Sequence, residues 1–247
     1  MITERFDTNN YEYNKKSPMG VYIIHGFSNT TYEVRALAKF LGKNGFHTVA
    51  KNLPGHGTTI DECNRVKYTD WINHAKQDIA ELASQSKKIY VIGCSMGAVL
   101  SLYIASIFPI NGLVVAGTVL KFKNPFEVNV LVPLFGRFVK ISKKTNKDKN
   151  NTKFYGYRHY PLLALLQFRK LIKIVLKKIH TISSPTLIIH SKNDGMSMKK
   201  NVSILKKTLQ PKEQKILVVD HAHHNLFDTN PDQQLIFKNI LQFLNSN

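Results

Sequence analysis

The pentapeptide Gly93-Cys94-Ser95-Met96-Gly97 sets a serine between two glycines, directly after an apolar run ending at Ile92 and directly before an apolar helical run. On a sharp strand-to-helix turn a serine hydroxyl stands clear of the sheet at the positive end of the helix, a place suited to nucleophilic attack on an acyl carbon. The turn strains the serine backbone, and flanking glycines admit the close approach that a side chain would block. A hydroxyl is a weak nucleophile near neutrality, so it needs a base within hydrogen-bonding reach and a third group to orient that base.

Two later loops supply these groups in the order Ser, acid, His. The apolar run 186–190 leads into Ser191-Lys192-Asn193-Asp194-Gly195, and the run 215–219 leads into Asp220-His221-Ala222-His223-His224. Both loops follow strand-like segments, where α/β sheets assemble their sites. Asp194 is the expected acid. Asp220 shares its loop with the histidines and reads as a loop-fixing residue, and Asp228 as a helix-entry residue. Spacing alone does not choose among His221, His223 and His224. The three histidines lack a carboxylate or fourth ligand at familiar metal spacing, so neither a metal site nor a cysteine nucleophile is expected. Acyl transfer also creates an oxyanion, which preorganised N–H donors stabilise. The run Val21-Tyr22-Ile23-Ile24-His25-Gly26-Phe27-Ser28 supplies a strand and a glycine-containing turn. With this turn set beside the elbow, the expected donors are the backbone N–H groups of Phe27 and Met96. His25 is expected to hold its loop rather than to react.

These groups meet only if the chain brings strand ends together. Short β-rich runs at 21–24, 46–50, 89–92, 112–116, 186–190 and 215–219 alternate with helical patterns at 31–44, 69–84, 96–108, 198–209 and 231–244. That alternation predicts a mostly parallel sheet flanked by helices, with the strands buried on both faces. The regularity lapses after Val119. Pro125, Pro133 and Gly136 precede a polar run, 142–151, that reads as an exposed loop, and Pro161 then opens a helical pattern to Ile179. In that pattern Leu162, Leu165, Leu166, Ile172, Val175 and Ile179 are apolar, and Arg169, Lys170, Lys173 and Lys177 recur at helical spacing. The expected organisation is an α/β-hydrolase core of residues 1–119 and 181–247 with a basic, mainly helical cap at 120–180. Phe122, Phe126, Phe135, Phe138, Phe154, Tyr155 and Tyr157 are candidates to line an acyl-chain pocket in the cap, and helix and loop packing accounts for them equally well.

The formal net charge is +19, and it is uneven. Residues 121–180 hold 15 Lys or Arg against the two acids Glu127 and Asp148, a net +13, which leaves +6 for the remaining chain. No zinc-finger spacing, RNP-like motif or basic heptad array accompanies the charge, so nucleic acid is not the expected partner. An anionic membrane surface or acidic ligand suits it better, with a lysine-rich solvated face as the equal alternative. The polar amino terminus lacks the basic start and apolar stretch of an export signal. Apolar runs are too short to span a bilayer, and the two cysteines, Cys63 and Cys94, form no disulfide framework. The cytoplasm is the expected location.

His25-Gly26-Phe27, Pro54-Gly55-His56-Gly57, Asp70-Trp71, the elbow at 93–97, Pro185-Thr186 and Asp194 together resemble the small bacterial carboxylesterases and monoacylglycerol lipases of the α/β-hydrolase superfamily. The resemblance covers nearly the whole chain. It implies a serine carboxylic-ester hydrolase that needs no cofactor or metal and acts on a small ester or monoacyl lipid. In that family the histidine follows a serine-glycine pair and precedes an aspartate by five residues. The counterpart here is His221-Ala222-His223 with Asp228, so the resemblance selects His223 as the base. The cap is more basic than the resemblance implies, which brings in a second expectation, a lysophospholipase or acyltransferase on anionic monoacyl lipids. A non-catalytic ligand-binding protein on the same fold is the third.

Overall fold

The computed structural model describes residues 7–135, 141–143 and 156–247. Its strands are β1 (Tyr11–Tyr13), β2 (Met19–Ile24), β3 (His47–Ala50), β4 (Lys88–Cys94), β5 (Gly112–Ala116), β6 (Ile141–Lys143), β7 (His159–Pro161), β8 (Thr186–Ser191) and β9 (Gln214–Val219). Its helices are α1 (Arg35–Lys43), α2 (Ile60–Arg65), α3 (Tyr68–Gln85), α4 (Met96–Ala105), α5 (Val132–Phe135), α6 (Leu162–Lys178), α7 (Lys199–Thr208) and α8 (Gln233–Ser246).

Seven strands form one sheet in the order β1-β3-β2-β4-β5-β8-β9, parallel throughout except for β1, which runs against β3. This is the expected α/β architecture, with β1 and α2 as elements the periodicity did not announce. The register matters for the site. Ile24 lies beside Gly93, Cys94 beside Ala116, Ala116 beside Ile189, and Ser191 beside Val219. The carboxyl ends of five strands therefore finish along one edge.

Strand alternation divides the apolar side chains between two cores. Tyr22, Ile24, Val91, Leu113, Val115 and Ile188 face α3, α4 and α6. Val21, Ile23, Ile92, Val114, Leu187 and Ile189 face α1 and α8. The edge strand β9 departs from the expectation of two buried faces: Ile216 and Val218, on one of its faces, are exposed.

The region 120–180 also differs from its expected form. Residues 141–143, at the start of the polar run, pair antiparallel with 159–161. Residues 144–151 of that run lie outside the described residues. The buried stripe of α6 is Leu162, Ala164, Phe168, Leu171, Ile172 and Val175, while Leu166 is only partly buried. Phe168, Leu171, Ile172 and Val175 belong to the same hydrophobic cluster as α3 and α4. Lys170, Lys173 and Lys177 stay exposed. Pro161 caps this helix with extended φ and ψ instead of starting its first turn. The expected helix 31–44 is interrupted: a 3-10 turn at Thr31–Glu33 precedes α1.

Candidate active site

Ser95 lies between β4 and α4 with φ 54° and ψ −116°, a strained backbone for a residue with a side chain. Its N–H donates to Ala116 O at 2.9 Å. A Cβ on Gly93 would come within 2.3 Å of Gly97 O, and one on Gly97 within 2.2 Å of Ile24 O. Both glycines are required by this close approach, which presses the elbow against the end of β2.

Opposite Ser95 stands the ring of His224. Its Nε2 is 2.9 Å from Ser95 Oγ, and its Nδ1 is 2.8 Å from Asp194 Oδ2 and 2.9 Å from Oδ1. Asp194 Oδ1 also accepts the N–H groups of Met196 and Ser197, each at 2.8 Å. These bonds set the charge balance. Burial pushes the Asp194 carboxyl up, but the His224 hydrogen bond and charge, aided by the two N–H donors, outweigh it and hold the group below its usual range. Burial pushes His224 down, yet the Asp194 hydrogen bond and charge, with a contribution from the Glu33 charge, leave it raised. A base whose ring is hydrogen-bonded to a carboxylate on one side and a hydroxyl on the other can accept a proton from that hydroxyl.

His223 is not in this line, although the resemblance selected it. It is exposed, and its Nδ1 lies 3.4 Å from Asn193 O. The buried Ala222 fixes which way the loop turns, because its N–H and that of His221 both donate to Asp232 Oδ2 at 2.7 Å. Ala222 O accepts the Ser191 hydroxyl, tying the loop to β8. With 222 held inward, His223 points out and His224 points in. The small residue two places before the inward histidine is Ala222, so the signal was present one position along. Asp232 gave no such signal, since an aspartate just before a helix reads as a cap. Asp228 is not a helix-entry residue; it pairs with Arg35 at 3.3 Å. Asp220 is exposed and pairs with Lys192 at 2.6 Å.

The loop after β2 presses on the elbow. Gly26 N–H donates to Glu33 Oε2 at 2.7 Å, and Asn29 N–H to Gly26 O at 3.3 Å, closing a turn with Phe27 and Ser28 inside it. Among the described residues the N–H groups of Phe27 and Met96 find no acceptor. His25 is fully buried; its Nε2 accepts Leu53 N–H at 3.0 Å, and its Nδ1 donates to Gly26 O at 2.9 Å. Burial outweighs the Gly26 bond and, with the His74 charge, brings His25 down to about 4, so it is a neutral strut. Tyr157 N–H donates to Ser28 O at 2.9 Å and its hydroxyl to Gly55 O at 2.6 Å.

A family model described as serine aminopeptidase, S33, matches residues 16–232. The chain belongs to that family. This S33-family hydrolase is 27% identical to a thermostable monoacylglycerol lipase of Bacillus sp. (strain H-257), over 94% of this chain and 92% of the relative. It is 22% identical to a carboxylesterase of Bacillus subtilis (strain 168), over 93% and 94% of the two chains. A solved structure from work on LipS and LipT, two metagenome-derived lipolytic enzymes, superposes with a TM-score of 0.90 at 21% identity, covering 99% of this chain and 100% of that one. The S33-family chain therefore has the α/β-hydrolase fold, and it is a serine hydrolase.

The aromatic residues proposed from sequence for a pocket divide in this hydrolase. Phe122 packs edge-on against Phe168 at 5.7 Å, and Phe168 stacks on Phe27 at 5.8 Å, so an α6 side chain abuts the turn beside Ser95. Phe168 was the missed member, three residues after Leu165 on the same helix face. Tyr157 is buried as a strut, and Phe126 is 66% exposed. The side chain of Phe135, and Phe138, Phe154 and Tyr155, lie outside the described residues. Among the described residues no helix is long and apolar enough to cross a membrane, and no cluster of His, Cys, Asp and Glu suits a metal.

Proposed function

We propose that this chain is a carboxylic-ester hydrolase working through Ser95, His224 and Asp194 and a covalent acyl-enzyme. The observation that carries the proposal is the unbroken hydrogen-bonded line from the Ser95 hydroxyl through the His224 ring to the Asp194 carboxylate. Ser95 Oγ attacks the ester carbonyl carbon while His224 Nε2 takes its proton, and Asp194 holds the ring and stabilises the imidazolium. The N–H groups of Phe27 and Met96 receive the negative oxygen. Collapse of the tetrahedral intermediate breaks the bond to the alcohol, which leaves with the proton from His224. Water then repeats the sequence on the acyl-enzyme and frees Ser95.

Relatives named monoacylglycerol lipase and carboxylesterase support a monoacyl lipid or small ester as substrate. The aromatic surface of Phe27, Phe122 and Phe168 suits an acyl chain. We place residues 120–180 as the cap of this site and the chain in the cytoplasm, where the two buried free cysteines stay reduced.

A second reading, action on anionic monoacyl lipids at a membrane surface, is favoured by the concentration of charge in residues 121–180 and by Phe126 and Leu134, both more than 60% exposed. The deciding experiment compares p-nitrophenyl butyrate, a neutral monoglyceride and an anionic lysophospholipid at low and high salt, with Ser95→Ala and a fluorophosphonate probe as controls. Ester turnover lost by at least about 10³-fold in Ser95→Ala, with labelling at Ser95, supports the proposal. Turnover by Ser95→Ala refutes it. Salt-sensitive preference for the anionic lipid selects the second reading.

A further inference from the structure

The residue left without a role by this mechanism is Glu33, 2% exposed, in the 3-10 turn before α1. Taking a carboxylate out of water is costly unless hydrogen bonds or a cation compensate. Among the described residues no lysine or arginine is within ion-pair distance of it. Its compensation comes from N–H donors. Oε2 accepts Gly26 N–H at 2.7 Å, and Oε1 accepts the Asn29 side-chain amide at 2.8 Å.

Gly26 and Asn29 are the two ends of the turn that presents Phe27. The turn closes on itself through Asn29 N–H to Gly26 O, and Ser28 within it has φ 60°, a conformation a serine rarely holds unaided. One carboxylate thus clamps both ends of a strained turn whose inner N–H is the oxyanion donor. It also lies close to the reacting groups: a point at the Cβ position of Gly26 is 3.1 Å from Glu33 Oε2 and 3.2 Å from Ser95 Cβ.

We propose that Glu33 is a positioning residue that fixes the oxyanion turn beside Ser95, an inference that rests on the catalytic reading above. Its charge also favours protonated His224. Two electrostatic effects oppose each other here. A buried negative charge repels the developing oxyanion, but it also stabilises the imidazolium formed in the same step, and it holds the N–H that neutralises the oxyanion. The groups bearing on His224 are Asp194 and Glu33, which raise it. His190 on β8 lies in the same field: burial lowers it, Asp194 raises it, and His224 and Lys199 lower it further. On the other side of Glu33 lies Cys94, whose thiol burial pushes well up, with the Glu33 charge adding to the effect, so that it stays protonated.

The test measures kcat, KM and the pH dependence of kcat/KM for p-nitrophenyl butyrate in the full chain, in Glu33→Gln and in Glu33→Asp, with Ser95→Ala alongside and circular dichroism to check folding. Expected in Glu33→Gln is a fall in kcat of about 10- to 100-fold with KM little changed, smaller than the loss of a whole oxyanion donor. The acid limb of the profile should also move to lower pH, because the imidazolium has lost a stabilising charge. Glu33→Asp should lower kcat but keep the limb in place, since the charge remains while the clamp is shortened. A purely structural glutamate would leave the limb where it is in both variants, and that result overturns the proposal. So does a rise in kcat in Glu33→Gln, which would mean that repulsion of the oxyanion dominates. If Glu33→Gln does not fold, Glu33→Asp decides: reduced kcat at unchanged KM supports the clamp, and kcat equal to that of the parent refutes it. Activity in Ser95→Ala would overturn the catalytic reading itself, whereas inactive Ser95→Ala with unaltered Glu33 variants overturns only the role of Glu33.

Discussion

The imidazole of His224 meets the Ser95 hydroxyl at 2.9 Å across 129 residues of chain, while His223 next to it reaches only the Asn193 carbonyl. Two adjacent histidines thus have opposite fates, which makes a sharp comparison. His224→Ala should lower kcat for a p-nitrophenyl ester by about three to four orders of magnitude, as loss of a triad base does. His223→Ala, a surface change, should stay within about twofold of the parent. Steady-state kinetics on the two variants checks both; equal losses would show that the loop turns the other way in solution.

The pH profile follows from the same pair. In the proposed mechanism Ser95 is activated only when His224 is neutral, so kcat/KM should rise with pH through the His224 ionisation. Asp194 raises that ionisation above the ordinary histidine value of 6.5, which puts the acid limb above pH 6.5. Asp194→Asn removes the raising charge and frees the ring tautomer. The limb should fall to lower pH, and the plateau should drop by about 10³- to 10⁴-fold. A limb that stays in place in Asp194→Asn would mean another group controls it.

His25 makes a prediction about stability instead. Its folded value of about 4 lies below the ordinary 6.5, so the unfolded chain binds the proton first as the pH falls. The stability conferred by the neutral ring is complete above pH 6.5 and is lost progressively between about 6.5 and 4. At about 1.4 kcal/mol per pH unit, the loss is about 3 kcal/mol. Urea melts at pH 7 and pH 4.5 should therefore differ more for the parent than for His25→Asn, which has no such titration. A pH dependence identical in both would assign the acid sensitivity to other groups.

Gly97 offers a steric test. An alanine there would put its Cβ 2.2 Å from Ile24 O and 2.5 Å from His25 O, both backbone atoms that no side-chain rotation can relieve. Gly97→Ala should cost about 1–3 kcal/mol in denaturant unfolding. It should also reduce turnover more than that destabilisation explains, because the displaced segment leads into Phe27. A stable, fully active variant would show that the elbow and the end of β2 are not in the contact described.

The places of Ser95 on the strand-to-helix turn and of Asp194 just past β8, and the parallel sheet itself, were legible because each is a local matter. A glycine-bounded serine after an apolar run, an aspartate just past a strand, and short apolar segments alternating with helical ones are written in neighbouring residues. The choice between His223 and His224 was not local. It depends on Asp232, ten residues beyond Ala222, gripping two N–H groups so that the loop turns one residue later than the motif spacing implied. The contacts of Glu33 were hidden for the same reason: in sequence it sits in a helical pattern, and only folding returns its carboxylate to Gly26 and Asn29. Residue type and short-range periodicity determined which groups could react and what scaffold would hold them. Which side chains meet was decided by the tertiary structure, because rotating a loop by one residue reverses the direction of its side chains while leaving its composition unchanged.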